Sequence, residues 1–257
     1  MKVASFNANG IRARLPIILD WLERECPDLL GVQETKVQDK DFPSRVFEEA
    51  GYSCVFRGEK GYNGVAIISN RPLDHACFGF ADGDSREETR LVRGMYKGIS
   101  VVNTYVPQGL APYSEKFRYK LDWFQRLRDY FSRSFDPKKP LLWMGDFNVA
   151  PEPIDVYDPK NLLGNIGFHP DEHTALAGVK SWGLVDVFRK HQPEGGMYTF
   201  WDYRVPNALK RGMGWRIDHI WATASLAQKS TRAWVDLSPR LLEKPSDHTF
   251  IVAEFDG

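Results

Sequence analysis

The sequence predicts a four-layered α/β sandwich, with two mixed β-sheets packed face to face and helices outside. Three observations carry that expectation. Short apolar runs of strand length recur along the chain, and most are broken by Asn, Asp or Gly. Between some of them lie longer stretches whose apolar residues have helical spacing. Residues 3–69 also run strand, Asn-containing turn, helix, strand and hairpin-like strands. Residues 141–223 echo that order, with Ser5-Phe6-Asn7 matching Asp146-Phe147-Asn148 in position. Two such halves packed sheet on sheet bring both sets of strand ends to one rim. The 257 residues are 42% apolar and contain no linker or low-complexity stretch, so residues 1–257 are expected to form a single domain.

Residues 2–6 read as a strand ending in the turn-forming cluster Asn7-Ala8-Asn9-Gly10. In 12–25, Leu15, Ile18, Leu19 and Leu22 fall at i, i+3, i+4 and i+7, an amphipathic helix that Pro27 stops. A second strand, 28–32, delivers Gln33-Glu34-Thr35-Lys36. This β-α-β unit places Asn7 and Glu34 at the same end of neighbouring parallel strands, where open α/β sheets bind their ligands. Strands follow at 53–56, 64–69, 74–78, 91–96 and 99–105, separated by Gly- and Asp-rich breaks. The last of these runs into Val106-Pro107-Gln108-Gly109 and sets Tyr105 and Gln108 at another strand end.

The longest helical pattern is 114–133, with Phe117, Leu121, Phe124, Leu127 and Phe131 as a core stripe. Lys116, Arg118 and Lys120 in its first turns are of the kind that usually form a solvated face but could reach a phosphate. A buried strand at 140–144 then leads into Gly145-Asp146-Phe147-Asn148. Asp146 and Asn148, two residues apart, point the same way while the chain stays extended. A carboxylate beside a carboxamide suits the holding of a metal-bound water and a phosphate oxygen. Residues 151–170 read as a long Pro-, Asp- and Asn-rich loop and 172–182 as a helix. Strands at 184–187, 198–201, 217–223, 233–237 and 250–255 complete the chain.

Formal charge is zero, 34 basic against 34 acidic residues, which argues against a simple polycation but leaves room for a basic face. Cys26, Cys54 and Cys77 are odd in number and lack C-x-x-C spacing, so neither a disulfide framework nor a zinc site is expected. The N-terminus lacks the apolar region of a signal peptide and no run is long enough to span a membrane. The expectation is a soluble, cytoplasmic protein with no membrane partner, nucleoid-associated in use. There is no G-x-S-x-G, P-loop or G-x-G-x-x-G. Asn7, Glu34, Asp146, Asn148, Asp218 and Asp247 form an oxygen-rich set with a single imidazole, His248. That set suits Mg²⁺ or Mn²⁺ held by few carboxylates and several waters, whereas zinc would want more His or Cys. His219 is expected to point away from its neighbour Asp218. His169 and His191 lie in polar loops and receive no role.

Eight motifs then run the length of the chain: FNANGIRAR at 6–14, LLGVQETK at 29–36, YNGVAI at 62–67, NTYVPQG at 103–109, GDFNVAP at 145–151, YTFWDYR at 198–204, GWRIDHI at 214–220 and PSDH at 245–248. With them the chain resembles the exonuclease III family of apurinic/apyrimidinic (AP) endonucleases, within the deoxyribonuclease I-like endonuclease/exonuclease/phosphatase superfamily. The resemblance implies that Glu34 and Asp247, with Asn7 nearby, form the main metal neighbourhood, to which Asp146, Asn148 and His248 also contribute. It implies that Asp146 positions or deprotonates the attacking water and that Asn148 and Tyr105 contact the phosphate. His248, paired with Asp218, would stabilise the pentacovalent charge. Asn9 stands where some relatives carry Asp, which implies a less negative site. An extruded base-free sugar would sit against Phe200, Trp215 and Ile217. Gln108, Lys120 and the loop carrying Arg204, Lys210 and Arg211 would contact the duplex.

The implied activity is metal-dependent cleavage of the DNA backbone 5′ to abasic sites with 3′-5′ exonuclease trimming. The expected cofactor is Mg²⁺, with Mn²⁺ substituting, and the expected partner is double-stranded DNA bearing abasic sites or 3′ blocks, bound by a monomer. Two other readings compete. A superfamily phosphatase acting on lipid or inositol phosphates is disfavoured by GWRID and YTFW, and a non-catalytic DNA-binding module by the intact polar strand ends.

Overall fold

The computed structural model describes residues 1–84 and 88–256. In chain order its strands are β1 (Lys2–Asn7), β2 (Leu29–Gln33), β3 (Ser53–Arg57), β4 (Val65–Ser69), β5 (Asp74–Phe78), β6 (Leu91–Tyr96), β7 (Ile99–Tyr105), β8 (Leu141–Asp146), β9 (Leu184–Asp186), β10 (Asp218–Thr223), β11 (Ser230–Asp236) and β12 (Phe250–Phe255). The α-helices are α1 (Ile11–Glu25), α2 (Ser44–Glu49), α3 (Glu115–Ser134), α4 (Pro159–Leu162), α5 (Pro170–Lys180), α6 (Val187–His191) and α7 (Ala224–Ala227). No helix among the described residues is long and apolar enough to cross a membrane.

One sheet has the order β11-β12-β1-β2-β4-β3 and the other β5-β6-β7-β8-β10-β9. Each is antiparallel except for one central parallel pair, β1–β2 in the first and β7–β8 in the second. Parallel neighbours need a crossover, and α1 and α3 supply the two. This corrects the internal echo read from the sequence. The unit matching β1-α1-β2 is β7-α3-β8, not the segment that starts at β8, because β9 pairs with β10 and not with β8. Asn7 therefore corresponds to Tyr105, and Glu34 to the turn after β8. Both crossover units deliver their polar ends to the same rim.

Alternation along each strand sorts the core into three layers. Val3, Leu29, Ile67, Val101, Met144 and Ile251 face inward and fill the space between the sheets. The other faces are covered by helices: Ile18, Trp21 and Leu22 of α1 pack on β1, β2 and β4, while Trp123, Phe124, Leu127 and Phe131 of α3 pack on β7 and β8. The four-layered sandwich expected from the sequence is the observed architecture. In α3 the buried positions include Phe117, Lys120, Phe124 and Leu127, so a lysine takes the place on the stripe given above to Leu121.

Three local expectations change. Residues 198–201 form no strand. Phe200 makes only isolated bridges, to Trp215 and His248, because this segment builds a cleft wall instead of extending a sheet. The loop 151–170 contains α4 and a 3₁₀ turn at Pro153–Asp155, each with proline in its first turn. Helices α2 and α6 have no counterpart in the sequence pattern; they are 6 and 5 residues long, too short for apolar periodicity to register.

Candidate active site

The register of the second sheet sets the site. Asp146, the last residue of β8, lies opposite Tyr105 of β7 and opposite Asp218 of β10, so one row carries a phenol and two carboxylates. Gly145 makes this row possible. Its φ is +145°, and a Cβ there would stand 2.0 Å from the Thr104 carbonyl oxygen. Beyond the row the chain turns sharply, and Asn148 takes φ +52°. Glu34, just past β2 in the first sheet, takes φ +50°. Left-handed backbone at a non-glycine residue is uncommon and clusters at functional sites. The Glu34 turn is held from outside by the YNG motif, with Thr35 N–H donating to Gly64 O (3.2 Å) and Lys36 N–H to Asn63 O (3.0 Å).

Asn7 joins the two sheets at this rim. Its amide nitrogen donates to Glu34 Oε1 and to Asp146 Oδ2, each at 2.8 Å. Its side-chain oxygen accepts from the Asn9 backbone at 2.9 Å, which fixes the amide orientation. Asn148 N–H donates to Asp146 Oδ1 (2.8 Å), and the Asn148 side chain donates to Val106 O (2.9 Å). His248 Nδ1 lies 2.8 Å from Asp218 Oδ2, with both side chains buried, and its Nε2 stands 3.9 Å from Asp146. Ser246 locks this arm, donating to Asn7 O (2.7 Å) and accepting from His248 N–H (3.2 Å).

Burial pushes the Asp146 carboxyl up to about 7, with the Asp218 and Glu34 charges adding and His248 and Asn7 opposing. For His248, burial works against the charged ring, but the Asp218 charge and hydrogen bond more than reverse this and raise it to about 10. Tyr105 is raised well above the usual phenol range, by burial first and then by Glu34 and Asp146, so it is a hydroxyl donor at neutral pH. His219, on the opposite face of β10 as alternation requires, packs on Phe147 and Trp221 and is pushed down to about 3 by burial and Arg216. His169 caps α5 and His191 pairs with Ser230 Oγ.

Glu34, Asp146 and His248 offer ligand atoms within 4.8 Å of one another. Two buried or half-buried carboxylates backed by amide donors fit a hard divalent cation. Asp218 on Nδ1 fixes the ring so that Nε2 faces the two carboxylates, where it can serve the ion or a phosphate oxygen. Asn7, expected beside the metal, turns its oxygen away and instead orients both carboxylates. Asp247 borders the cleft outside that trio, and its Oδ1 accepts from Asn9 at 2.9 Å.

The cleft beside these groups has a volume of about 640 Å³. Phe200, Trp215 and Ile217 form an apolar wall with Ala150, Val156 and Phe168, and Phe200 lies 4.8 Å from the His248 ring. Gln108 and Arg204 are also at the cleft, the latter forked onto Asp202 at 2.7–3.0 Å. Lys210 and Arg211 are exposed on the loop beyond it. Lys120 contradicts its expected role. It is fully buried and bonded to Glu172, Asn148 O and Gln108 O, so it does not reach substrate.

The model of the endonuclease/exonuclease/phosphatase family matches residues 4–248. The chain belongs to this family. Exodeoxyribonuclease III of Haemophilus influenzae is 34% identical over 99% of this chain and 100% of its own length. Among solved structures, an AP endonuclease from Archaeoglobus fulgidus superposes with a TM-score of 0.97 at 47% identity, covering 100% of both chains. The 3′ phosphatase NExo from Neisseria, bound to a product DNA hairpin, superposes with a TM-score of 0.94 at 35% identity, again over 100% of both.

In this endonuclease/exonuclease/phosphatase protein, two residues that the sequence did not single out also contact the site or its support. Lys36 stands 2.8 Å from Glu34 Oε2 and also bonds Asn9, placing a cation beside the carboxylates. Arg216, fully buried, joins Asp155, Asp186 and His219 behind the row. Both lie inside motifs quoted above; for Arg216, a charged residue between the apolar Trp215 and Ile217 was the available signal.

Proposed function

We propose that this protein is a DNA-repair phosphodiesterase that hydrolyses the backbone 5′ to abasic sites, leaving a 3′-hydroxyl, and trims blocked 3′ ends. The observation that carries this reading is the apolar wall of Phe200, Trp215 and Ile217 directly beside the Asp146 and His248 cluster. A sugar without its base can turn out of the duplex into such a pocket, whereas a nucleotide carrying its base is bulkier and harder to extrude. The names of the relatives, an exodeoxyribonuclease III and an AP endonuclease among them, support the same reading.

The geometry supports the following chemistry. Asp146, held in place by the Asn7 amide and the Asn148 N–H, orients the attacking water and takes its proton. His248, charged and aimed by Asp218, offers Nε2–H to the phosphate oxygen on which charge grows. Tyr105 donates a hydrogen bond from its hydroxyl to the same phosphate, and the Phe200 wall excludes water around the sugar. As the water oxygen bonds to phosphorus the bond to the 3′ oxygen breaks, and that oxygen leaves as the 3′-hydroxyl with a proton from solvent. We assign the ion as Mg²⁺, with Mn²⁺ as its substitute, held by Glu34 and Asp146 together with waters. When bound it supplies Lewis-acid polarisation of a phosphate oxygen. Glu34→Gln should leave the fold intact and raise the Mg²⁺ concentration needed for half-maximal rate; normal cleavage at limiting Mg²⁺ would remove Glu34 from the ion site.

Rates on four substrates run in parallel test the reading: a duplex with one abasic analogue, an undamaged duplex, a duplex ending in 3′-phosphate, and an inositol phosphate. The abasic and 3′-phosphate duplexes should lead. A faster rate on the inositol phosphate would assign the other branch of the family. Phe200→Ala with Trp215→Ala should lower abasic cleavage at least about tenfold while leaving general duplex affinity nearly unchanged. Equal losses in both assays would make these rings core and nothing more.

Duplex affinity should fall steeply with salt despite the zero net charge, since each phosphate contact releases counterions. Replacing Lys210 and Arg211 by Ala should flatten the log–log slope by up to about 2. An unchanged slope would place the duplex on another face.

A further inference from the structure

The reaction above leaves a buried ion pair unused, Lys120 of α3 and Glu172 of α5, both 0% exposed. The ammonium has three protons and three acceptors: Glu172 Oε1, Asn148 O at 2.8 Å and Gln108 O at 3.2 Å. The other oxygen of Glu172 accepts from Gly167 N–H at 2.8 Å and His169 N–H at 3.2 Å. Gln108, Asn148 and Gly167 come from three separate loops, after β7, after β8 and before α5, and all three border the cleft. The contacts are to backbone, so the pair fixes the paths of these loops independently of their side chains. Asn148 has left-handed backbone, and its carbonyl is one of those gripped.

A buried ion pair is seldom a gain in stability over apolar residues of the same shape, so stability alone does not account for this one. We propose that Lys120 and Glu172 are positioning residues that hold Asn148 and the sugar-facing side of the cleft in one fixed relation before substrate arrives. This rests on the functional reading above, because it is the abasic sugar and its phosphate that need the two sides in register. The pair reaches no reacting atom and acts through the loops alone.

The test uses Glu172→Gln and the charge-free double variant Lys120→Met/Glu172→Gln, so that an unpaired buried charge cannot by itself unfold the protein. An amide has a single acceptor oxygen, so in Glu172→Gln it can accept from Lys120 or from the two backbone N–H groups, but not from both sides. Two readouts are taken. Hydrogen exchange at 106–112, 147–151 and 163–169 should quicken about tenfold or more, while β8 and the middle of α3 keep their protection. The single-turnover rate on an abasic duplex should fall at least about tenfold with duplex affinity within about twofold, since misplaced groups lose rate more than binding. Parent-like exchange in those loops overturns the proposal. So does faster exchange with an undiminished rate, and so does a loss of protection spread through α3 and β8, which would make the pair merely structural. If the parent itself fails to cut abasic DNA, the functional reading falls, while exchange still decides whether the pair governs the loops.

Discussion

His248→Asn should slow abasic-site cleavage by about 10²–10³, the range expected when a donor to developing phosphate charge is removed. Asp218→Asn should cost less, because the ring remains but loses the carboxylate 2.8 Å away that orients and charges it. The double variant should be little slower than His248→Asn alone, since two residues serving one interaction are non-additive. Penalties that add in free energy would dissolve the dyad.

The same pair governs the alkaline side of the pH profile. His248 is raised to about 10 in the fold against 6.5 for a free ring, so the rate should hold through neutrality and decline as pH approaches 10. Asp218→Asn should move that decline to lower pH. The sign for stability is the same: the folded protein binds this proton more tightly, so the contribution is full below about 6.5 and fades as pH rises toward 10.

Asp146→Asn should reduce cleavage by about 10²–10⁴, the usual worth of a positioned proton acceptor, and should flatten the rise in rate on the acid side of neutrality. Its effect on stability runs the other way. The carboxyl is raised from 3.8 to about 7, so ionising it opposes folding, by an amount that grows from about pH 4 and is complete above about pH 7. The variant should therefore melt no lower than the parent at about pH 8 and compare less favourably at about pH 4. Losing activity without losing stability is the mark of a residue kept for chemistry. A marked drop in Tm on the alkaline side would mean that Asp146 serves mainly to hold the rim together.

Much of this is legible in the sequence because strand ends announce themselves. Asn7, Glu34, Tyr105 and Asp146 each stand where an apolar run stops, and a β-α-β unit sends such ends to one side. What is not legible depends on partners distant in sequence. The echo misleads because local order at 141–223 resembles 3–69, while the true match depends on which strands are neighbours, a matter settled by the register of β9 on β10. Lys120 looks exposed from sequence since lysines in first helical turns usually are, yet it sits between Phe117 and Phe124 on the apolar spacing, and its partner lies 52 residues on. Residue type alone suggests a metal role for Asn7; only the Asn9 backbone reveals which end of the amide faces the carboxylates.

If the Glu34, Asp146 and Asp218–His248 groups cut DNA beside a base-free sugar, the position and chemistry of the cut must show it. The most direct test is a 5′-labelled duplex with one abasic analogue, incubated with Mg²⁺ and separately with EDTA, with products mapped to the nucleotide. One cut is expected, immediately 5′ to the lesion, ending in a 3′-hydroxyl, absent in EDTA and restored by excess Mg²⁺. Cleavage that persists in EDTA, or that falls as readily at undamaged positions as at the lesion, would contradict it.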